Sequence, residues 1–315
     1  MEKAFILMTN KPQRGEAHIE LNPQVYAGIE SEGKLNVLFA LIDHTIAEVE
    51  HGEDKYFDEE QDKADVKTYY KGIKVGHLDD LRKIRSLVQE THKNQIIYDP
   101  IIYVYPWVDL YPDFQLKNIY SGKKRGFKEV MKEDLQTSLQ RTSELEASDQ
   151  DVWSIMRKHK FNCEHVVPQS WFEGKEPMRG DLHHLFTCDP LCNSIRSNYP
   201  YYDFKDYPEG QVEANRIEDQ CGKAEDERFE PEYGKGIVSR AMLYFFLRYP
   251  DIIESTYKKR VDIELLLKWH DQEPPGIYEY HRNQAIYDIQ KNRNPFIDYP
   301  KEMSRLIKQN TSFLC

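Results

Sequence analysis

Apolar residues recur along much of this chain at the spacing of a helix face. Leu35, Leu38, Phe39, Ile42, Ile46 and Val49 fall three or four positions apart, which predicts one amphipathic helix. Leu81, Ile84, Leu87 and Val88 repeat the pattern and predict a helix over Asp79–His92. Glu129–Gln140 carries a fainter version of the same period. The stretch GKGIVSRAMLYFFLRYP is apolar around most of its circumference, so its helix should be buried, with Pro250 helping to end it. Further helices are expected over Asp262–His270 and Tyr278–Lys291. IIYDPIIYVYPW is rich in β-branched and aromatic residues and reads as extended, interrupted by two prolines. PDFQLKNIYSGKK follows and ends in a turn around Gly122.

The middle of the chain changes character. FNCEHVVPQSWF has strand character up to a break at Pro168, and DLHHLFTC has it again. DPLCNSIRSNYP then reads as a short helix, with Asp189 as N-cap, Pro190 in the first turn and Pro200 beyond the end. The order across residues 161–200 is therefore strand, loop, strand, helix, and the expected class is α+β. The acidic run EHGEDKYFDEEQDKAD after the first helix reads as a solvated linker and places a boundary near residue 66. Residues 1–66 form an N-terminal extension to which the sequence gives neither role nor protein partner. Residues 67–305 read as one continuous domain, and residues 306–315 as a C-terminal tail.

Composition narrows the function. The 315 residues are 39% hydrophobic, enough for a real core. A net charge of −11 argues against a protein that coats nucleic acid by counterion release. It leaves room for an enzyme that touches a short stretch of backbone through a local basic lining and a bound cation. The 21 tyrosines suit both core packing and stacking on bases. No apolar run has the length of a membrane span. MEKAFILMTNKPQRGE lacks a small-residue cleavage site, so the expectation is a soluble chain, cytoplasmic by sequence, with no membrane partner.

Phosphodiester hydrolysis needs a deprotonated water, neutralisation of the charge that builds on phosphorus, and a stabilised leaving oxygen. An imidazole, with an ordinary pKa of about 6.5, suits the first task. A hard cation on oxygen ligands suits the others. Glu164, His165 and Asn193 supply a carboxylate, an imidazole and an amide oxygen. Adjacent strand residues point to opposite faces, so Glu164 and His165 share one site only where the strand ends or bends, as Pro168 suggests. Standing alone, such a pair is most often a surface feature, and a single helical Asn most often a cap.

The surrounding pattern changes that balance. NCEHVVPQSWF, then MRGDLHHLF, then CNSIRSNYPYYDF resemble the endonuclease I family of His-Me finger nucleases. YYKGI and DLYPDFQLKNIYSGK upstream, and FEPEYGKGIVSRAMLYFFLRYP and YEYHRNQAIYDIQKNRNPFIDYP downstream, extend the resemblance over residues 67–305. It implies a ββα-metal core surrounded by helices, with Glu164 and Asn193 as ligands of a magnesium-type cation (Mg2+) and His165 as general base. It implies cleavage of DNA and/or RNA with little sequence preference, leaving 5′-phosphate and 3′-hydroxyl ends. Arg196 is expected to contact a phosphate or to lock the motif by pairing with a carboxylate. Many relatives carry His-Asn where this chain has His183 and His184, and one of the pair is expected to hydrogen-bond the core of the motif. Arg179 is the arginine available in the loop to stabilise the cleaved phosphate. Lys123, Lys124 and Arg125 form a small basic patch, either a solvated face or a track for the nucleic-acid backbone.

Five cysteines make no tidy disulfide framework. For Cys163, Cys188, Cys192 and Cys221, three readings stand: reduced core thiols, a Cys192–Cys221 disulfide, or a structural zinc (Zn2+) on all four. Two rival functions accompany the nuclease reading. One is a nucleic-acid-binding module without catalysis, against which the intact Glu164, His165 and Asn193 speak. The other is a zinc-stabilised interaction protein.

Overall fold

A computed structural model describes residues 32–147, 154–155, 158–207 and 220–314 of the chain. Helix α1 (Glu32–Glu50) follows the predicted period and buries Leu35, Leu38, Phe39 and Ile42. The acidic run after it is only partly a linker. Its second half forms α2 (Glu59–Tyr69), because the Asp58 carboxylate accepts hydrogen bonds from the amides of Glu60 and Gln61 and three acids fall in the first turn. Asp62 is buried and paired with Arg293 at 2.6 Å, so the boundary expected near residue 66 falls inside a packed helix. Just ahead of α2, the Tyr56 ring stacks on His281 at 4.1 Å.

Helix α3 (Asp80–Thr91) matches expectation. The segment IIYDPIIYVYPW does not: it holds a helical turn, α4 (Pro100–Tyr103), where extended structure was expected. The Asp99 carboxylate accepts from the Ile102 amide at 3.2 Å and Pro100 opens the turn, a start signal that outweighs β propensity. Strands β1 (Leu116–Lys117) and β2 (Lys124–Arg125) form a hairpin. Gly122 in its turn has φ 68°, and a Cβ there would meet the Tyr233 ring at 3.0 Å. Helix α5 (Phe127–Ala147) is longer than its pattern suggested.

Strand β3 (Cys163–His165) pairs antiparallel with β4 (Leu185–Thr187), with Glu164 opposite Phe186 and His165 opposite Leu185. Only the second half of DLHHLFTC is strand. Leu182–His184 is a 3-10 turn, because Asp181 caps it through the His183 amide at 3.1 Å. Helix α6 (Pro190–Arg196) completes the predicted strand–strand–helix order. A further hairpin, β5 (Gly222–Glu225) with β6 (Arg228–Pro231), was not anticipated. Helix α7 (Lys235–Arg248) is buried along most of its length, as expected. α8 (Ile263–Gln272) and α9 (Ile277–Gln290) lie close to their predicted limits. α10 (Pro300–Gln309) runs through position 305, and Leu306, Ile307 and Leu314 are buried, so the segment read as a tail packs on the core.

The architecture is helix-rich α+β with three two-stranded sheets among the described residues. Two apolar clusters meet at the β3–β4 hairpin. Phe186 and Val166 join the cluster around α7, while Cys163 and Leu185 join the one that includes α1, α4 and α5. This is strand alternation used to bind two cores. Buried Asp109 fixes the hairpin further: it accepts from the Thr187 amide at 2.7 Å and the Tyr278 hydroxyl at 2.7 Å, and pairs with Arg282. Among the described residues no helix is long and apolar enough to cross a membrane. The leader reading of MEKAFILMTNKPQRGE and residue Cys315 lie outside the described residues.

Candidate active site

Strand β3 ends at His165, and this ending lets neighbouring side chains face one space. Glu164, His165 and Asn193 line a single cleft of about 550 Å³, together with Lys160, Gln169, Arg179 and Arg196. The three residues singled out from sequence are thus brought together, although Asn193 sits on α6 across a long loop.

Each is oriented by hydrogen bonds. The Tyr120 hydroxyl donates to Glu164 Oε1 at 2.7 Å, and the Arg196 guanidinium faces the same oxygen at 3.5 Å. Burial raises the pKa of the Glu164 carboxyl, and Arg196 and the Tyr120 bond oppose that rise. His165 Nε2 lies 2.9 Å from the Arg179 carbonyl. A carbonyl only accepts, so Nε2 carries the proton and Nδ1 keeps its lone pair. Gln169 Nε2 lies 3.3 Å from that Nδ1. Burial, helped by the neighbouring His184, holds the His165 imidazole well below its ordinary pKa, so the ring is neutral near pH 7. Asn193 donates through Nδ2 to the Cys163 carbonyl at 3.2 Å, which leaves its Oδ1 as the ligand end of the amide.

The supporting residues divide. Arg196 is buried and spends its donors on carbonyls, Nη2 to Val166 at 2.6 Å and Nη1 to Ser197 at 3.1 Å. It thereby ties α6 to the backbone just after β3 and faces Glu164. His184 donates from Nε2 to the Met178 carbonyl at 2.6 Å and meets the His165 ring edge-on at 5.4 Å. His183 does not reach the cleft. It packs 4.3 Å from the Tyr244 ring, and burial pushes its pKa down to about 3, as befits a core histidine. Arg179 contributes its carbonyl to His165 and lays its guanidinium 5.1 Å over Tyr98. In the basic patch, Lys124 pairs with Asp113, and Arg125 with Glu129, Glu133 and Asp189. These two side chains are therefore held in ion pairs. Asp189 holds Arg125 and Asn118 instead of capping α6 with its side chain.

Of the three cysteine readings, the structure adopts the disulfide: Cys192 on α6 is bonded to Cys221, beside the start of β5. Cys163 and Cys188 are free and buried. With two of four thiols joined, the four-thiolate zinc set is not assembled. No three His, Cys, Asp or Glu side chains cluster as a ready metal site among the described residues. The Glu164 carboxylate and Asn193 amide nevertheless fit a hard cation that keeps most of its water, because both offer oxygen. Sequence reasoning missed Tyr120, Gln169, Tyr98 and Lys160. Tyr120 lies inside a quoted motif and Gln169 four residues after His165, but no local signal marks either as a partner.

These features describe a helix-rich α+β protein whose cleft is built on a strand–strand–helix unit. The chain belongs to the Endonuclease I family, whose profile matches residues 85–301. Over 159 residues it is 33% identical to an extracellular ribonuclease of Bacillus amyloliquefaciens, covering 45% of this chain and 52% of that protein. Over 162 residues it is 29% identical to a periplasmic deoxyribonuclease of Aeromonas hydrophila, covering 45% of this chain and 65% of that one. An extracellular deoxyribonuclease of Aeromonas hydrophila is 28% identical over 162 residues, covering 45% of this chain and 67% of that protein. The chain thus spans roughly half to two thirds of the length of these curated relatives.

Proposed function

We propose that this protein is a divalent-metal-dependent endonuclease that hydrolyses phosphodiester bonds in DNA and/or RNA with little sequence preference, leaving 5′-phosphate and 3′-hydroxyl ends. The observation that carries the reading is the convergence of Glu164, His165 and Asn193 on one cleft. Family membership and the printed names of the relatives support it.

Glu164 and Asn193 would hold the cation through carboxylate and amide oxygen, with magnesium-type chemistry. When bound, the ion supplies positive charge to the developing phosphorane and the leaving 3′-oxygen. His165 accepts the proton of the attacking water at Nδ1, where the water replaces the Gln169 amide, since Nε2–H is spent on the Arg179 carbonyl. Depressing the imidazole pKa keeps that lone pair available at neutral pH, at some loss of basicity. Tyr120 and Arg196 hold the Glu164 carboxylate, and the Asn193 amide bond to Cys163 keeps α6 in register with β3.

The test is degradation of plasmid DNA and of RNA with magnesium, with EDTA, and with His165→Ala. We expect loss of activity in EDTA and a fall of at least about 100-fold in the alanine variant. Undiminished cleavage by His165→Ala would remove the assigned base. Tight oligonucleotide binding without any cleavage by the unaltered protein would favour the non-catalytic binding module.

A further inference from the structure

Lys160 stands two residues ahead of β3 and lines the same cleft as Glu164 and Asn193. It is half-buried, and its ammonium feels the Glu164 carboxylate and the Cys188 thiol. Yet it forms no ion pair or hydrogen bond with any described residue. The other described lysines that are not exposed each meet a partner: Lys117 lies over the Tyr111 ring at 4.0 Å, Lys223 and Lys235 pair with carboxylates, and Lys258 donates to the Pro250 carbonyl. Nearby Lys158 pairs with Glu144, and Lys175 with Glu173.

The other cations of the cleft are already engaged. Arg196 donates to the Val166 and Ser197 carbonyls. Arg141 donates to the His159 carbonyl and lies 4.0 Å over the Phe161 ring. Arg179 sits over Tyr98. Arg179 also pairs with Glu176 at 4.0 Å, so among these described cations Lys160 alone has neither an ion pair nor a hydrogen bond. Holding an ammonium partly out of water costs free energy unless an anion meets it. Glu164 does not provide the contact: it lies beyond ion-pair distance of the ammonium, and its Oε1 meets Tyr120 and Arg196.

Resting on the nuclease reading, we propose that Lys160 binds a non-bridging oxygen of a substrate phosphate in this cleft, as a point charge that tightens nucleic-acid binding. It makes no hydrogen bond to Glu164 or His165, so it acts on substrate affinity and not through the groups that do the chemistry. The contact is with backbone and is therefore indifferent to base sequence.

The experiment compares the full-length protein with Lys160→Met and Lys160→Arg on a fluorescently labelled oligonucleotide with magnesium at several salt concentrations. The methionine variant should lose about tenfold in kcat/KM at low salt, mostly through KM. Its slope of log kcat/KM against log salt should be shallower by about 0.7–0.9, the value of one lost phosphate contact. Arginine should restore both. Unchanged KM and slope in Lys160→Met would overturn the proposal, as would a loss confined to kcat. Lys160→Gln serves the same purpose should methionine unfold the chain. If the unaltered protein cleaves nothing, the nuclease reading fails separately. Anisotropy titration of the same oligonucleotide then still decides the phosphate contact, since equal affinities and slopes for wild type and variant would reject it.

Discussion

At the cleft, the legibility of single side chains in sequence was uneven. Glu164, His165 and Asn193 were readable because the motif around them is specific. Tyr120 was not, because its hydroxyl reaches Glu164 across 44 residues and no periodicity reports such a bond. Yet it should matter. Tyr120→Phe removes the hydrogen bond that orients the proposed ligand carboxylate and leaves the ring in place. By the general behaviour of groups that orient metal ligands, we expect the half-saturating magnesium concentration for activity to rise about 10–100-fold. The fold should be retained, because the ring still packs edge-on against Phe229 at 5.0 Å. An unaltered magnesium titration would mean that Arg196 alone suffices to hold Glu164.

Whole elements followed their hydrophobic period where the period was long. α1, α3, α7 and α9 lie close to where it put them, since a buried stripe can hardly be satisfied otherwise. Short pieces escaped. The apolar run at residues 96–107 looks equally good as a strand, and only the Asp99 cap ahead of Pro100 makes it turn. β5 and β6 lack a distinctive alternation and are recognisable mainly through the disulfide at their edge. That bond is the element-scale device of the site. It ties α6, which carries Asn193, to the β5–β6 hairpin over a separation of 29 residues. Loop-closure entropy predicts that Cys221→Ser costs about 3–4 kcal/mol, measurable by urea unfolding. The variant should also need more magnesium, because α6 is then held chiefly by Arg196 and the Asn193–Cys163 bond. A stability equal to wild type would show that packing already constrains this helix fully.

At the scale of the molecule, the sequence divided what the structure joins. α1, α2 and the last helix pack with the rest, since Phe39 meets Phe127, Asp62 meets Arg293, and Leu306 and Ile307 are buried. Composition could not reveal this, because an acidic segment reads as solvated until its buried partner is known. The interior is also rich in buried histidines. His92, His165, His183, His184, His270 and His281 are all shifted downward by burial, His281 to about 4. Below pH 6.5 the unfolded chain binds protons that these folded imidazoles refuse, so stability falls as pH drops toward their folded values. Asp99 and Asp134, pushed up to about 6 by burial, act in the opposite sense below pH 6. The histidines outnumber these two, and acidification from pH 7 to 5 should lower stability, read as a falling melting temperature. A melting temperature that rises over that interval would reverse this accounting.

The stack of Tyr56 on His281 has a bearing on how the chain comes into being. The two rings lie 225 positions apart, so the first waits on a growing chain until His281 has also emerged from the ribosome. At about 5–20 residues per second that delay is roughly ten to fifty seconds. Throughout it the aromatic residues ahead of α2 lack their seat on α9, and whatever shields nascent chains in the producing cell has that interval in which to act.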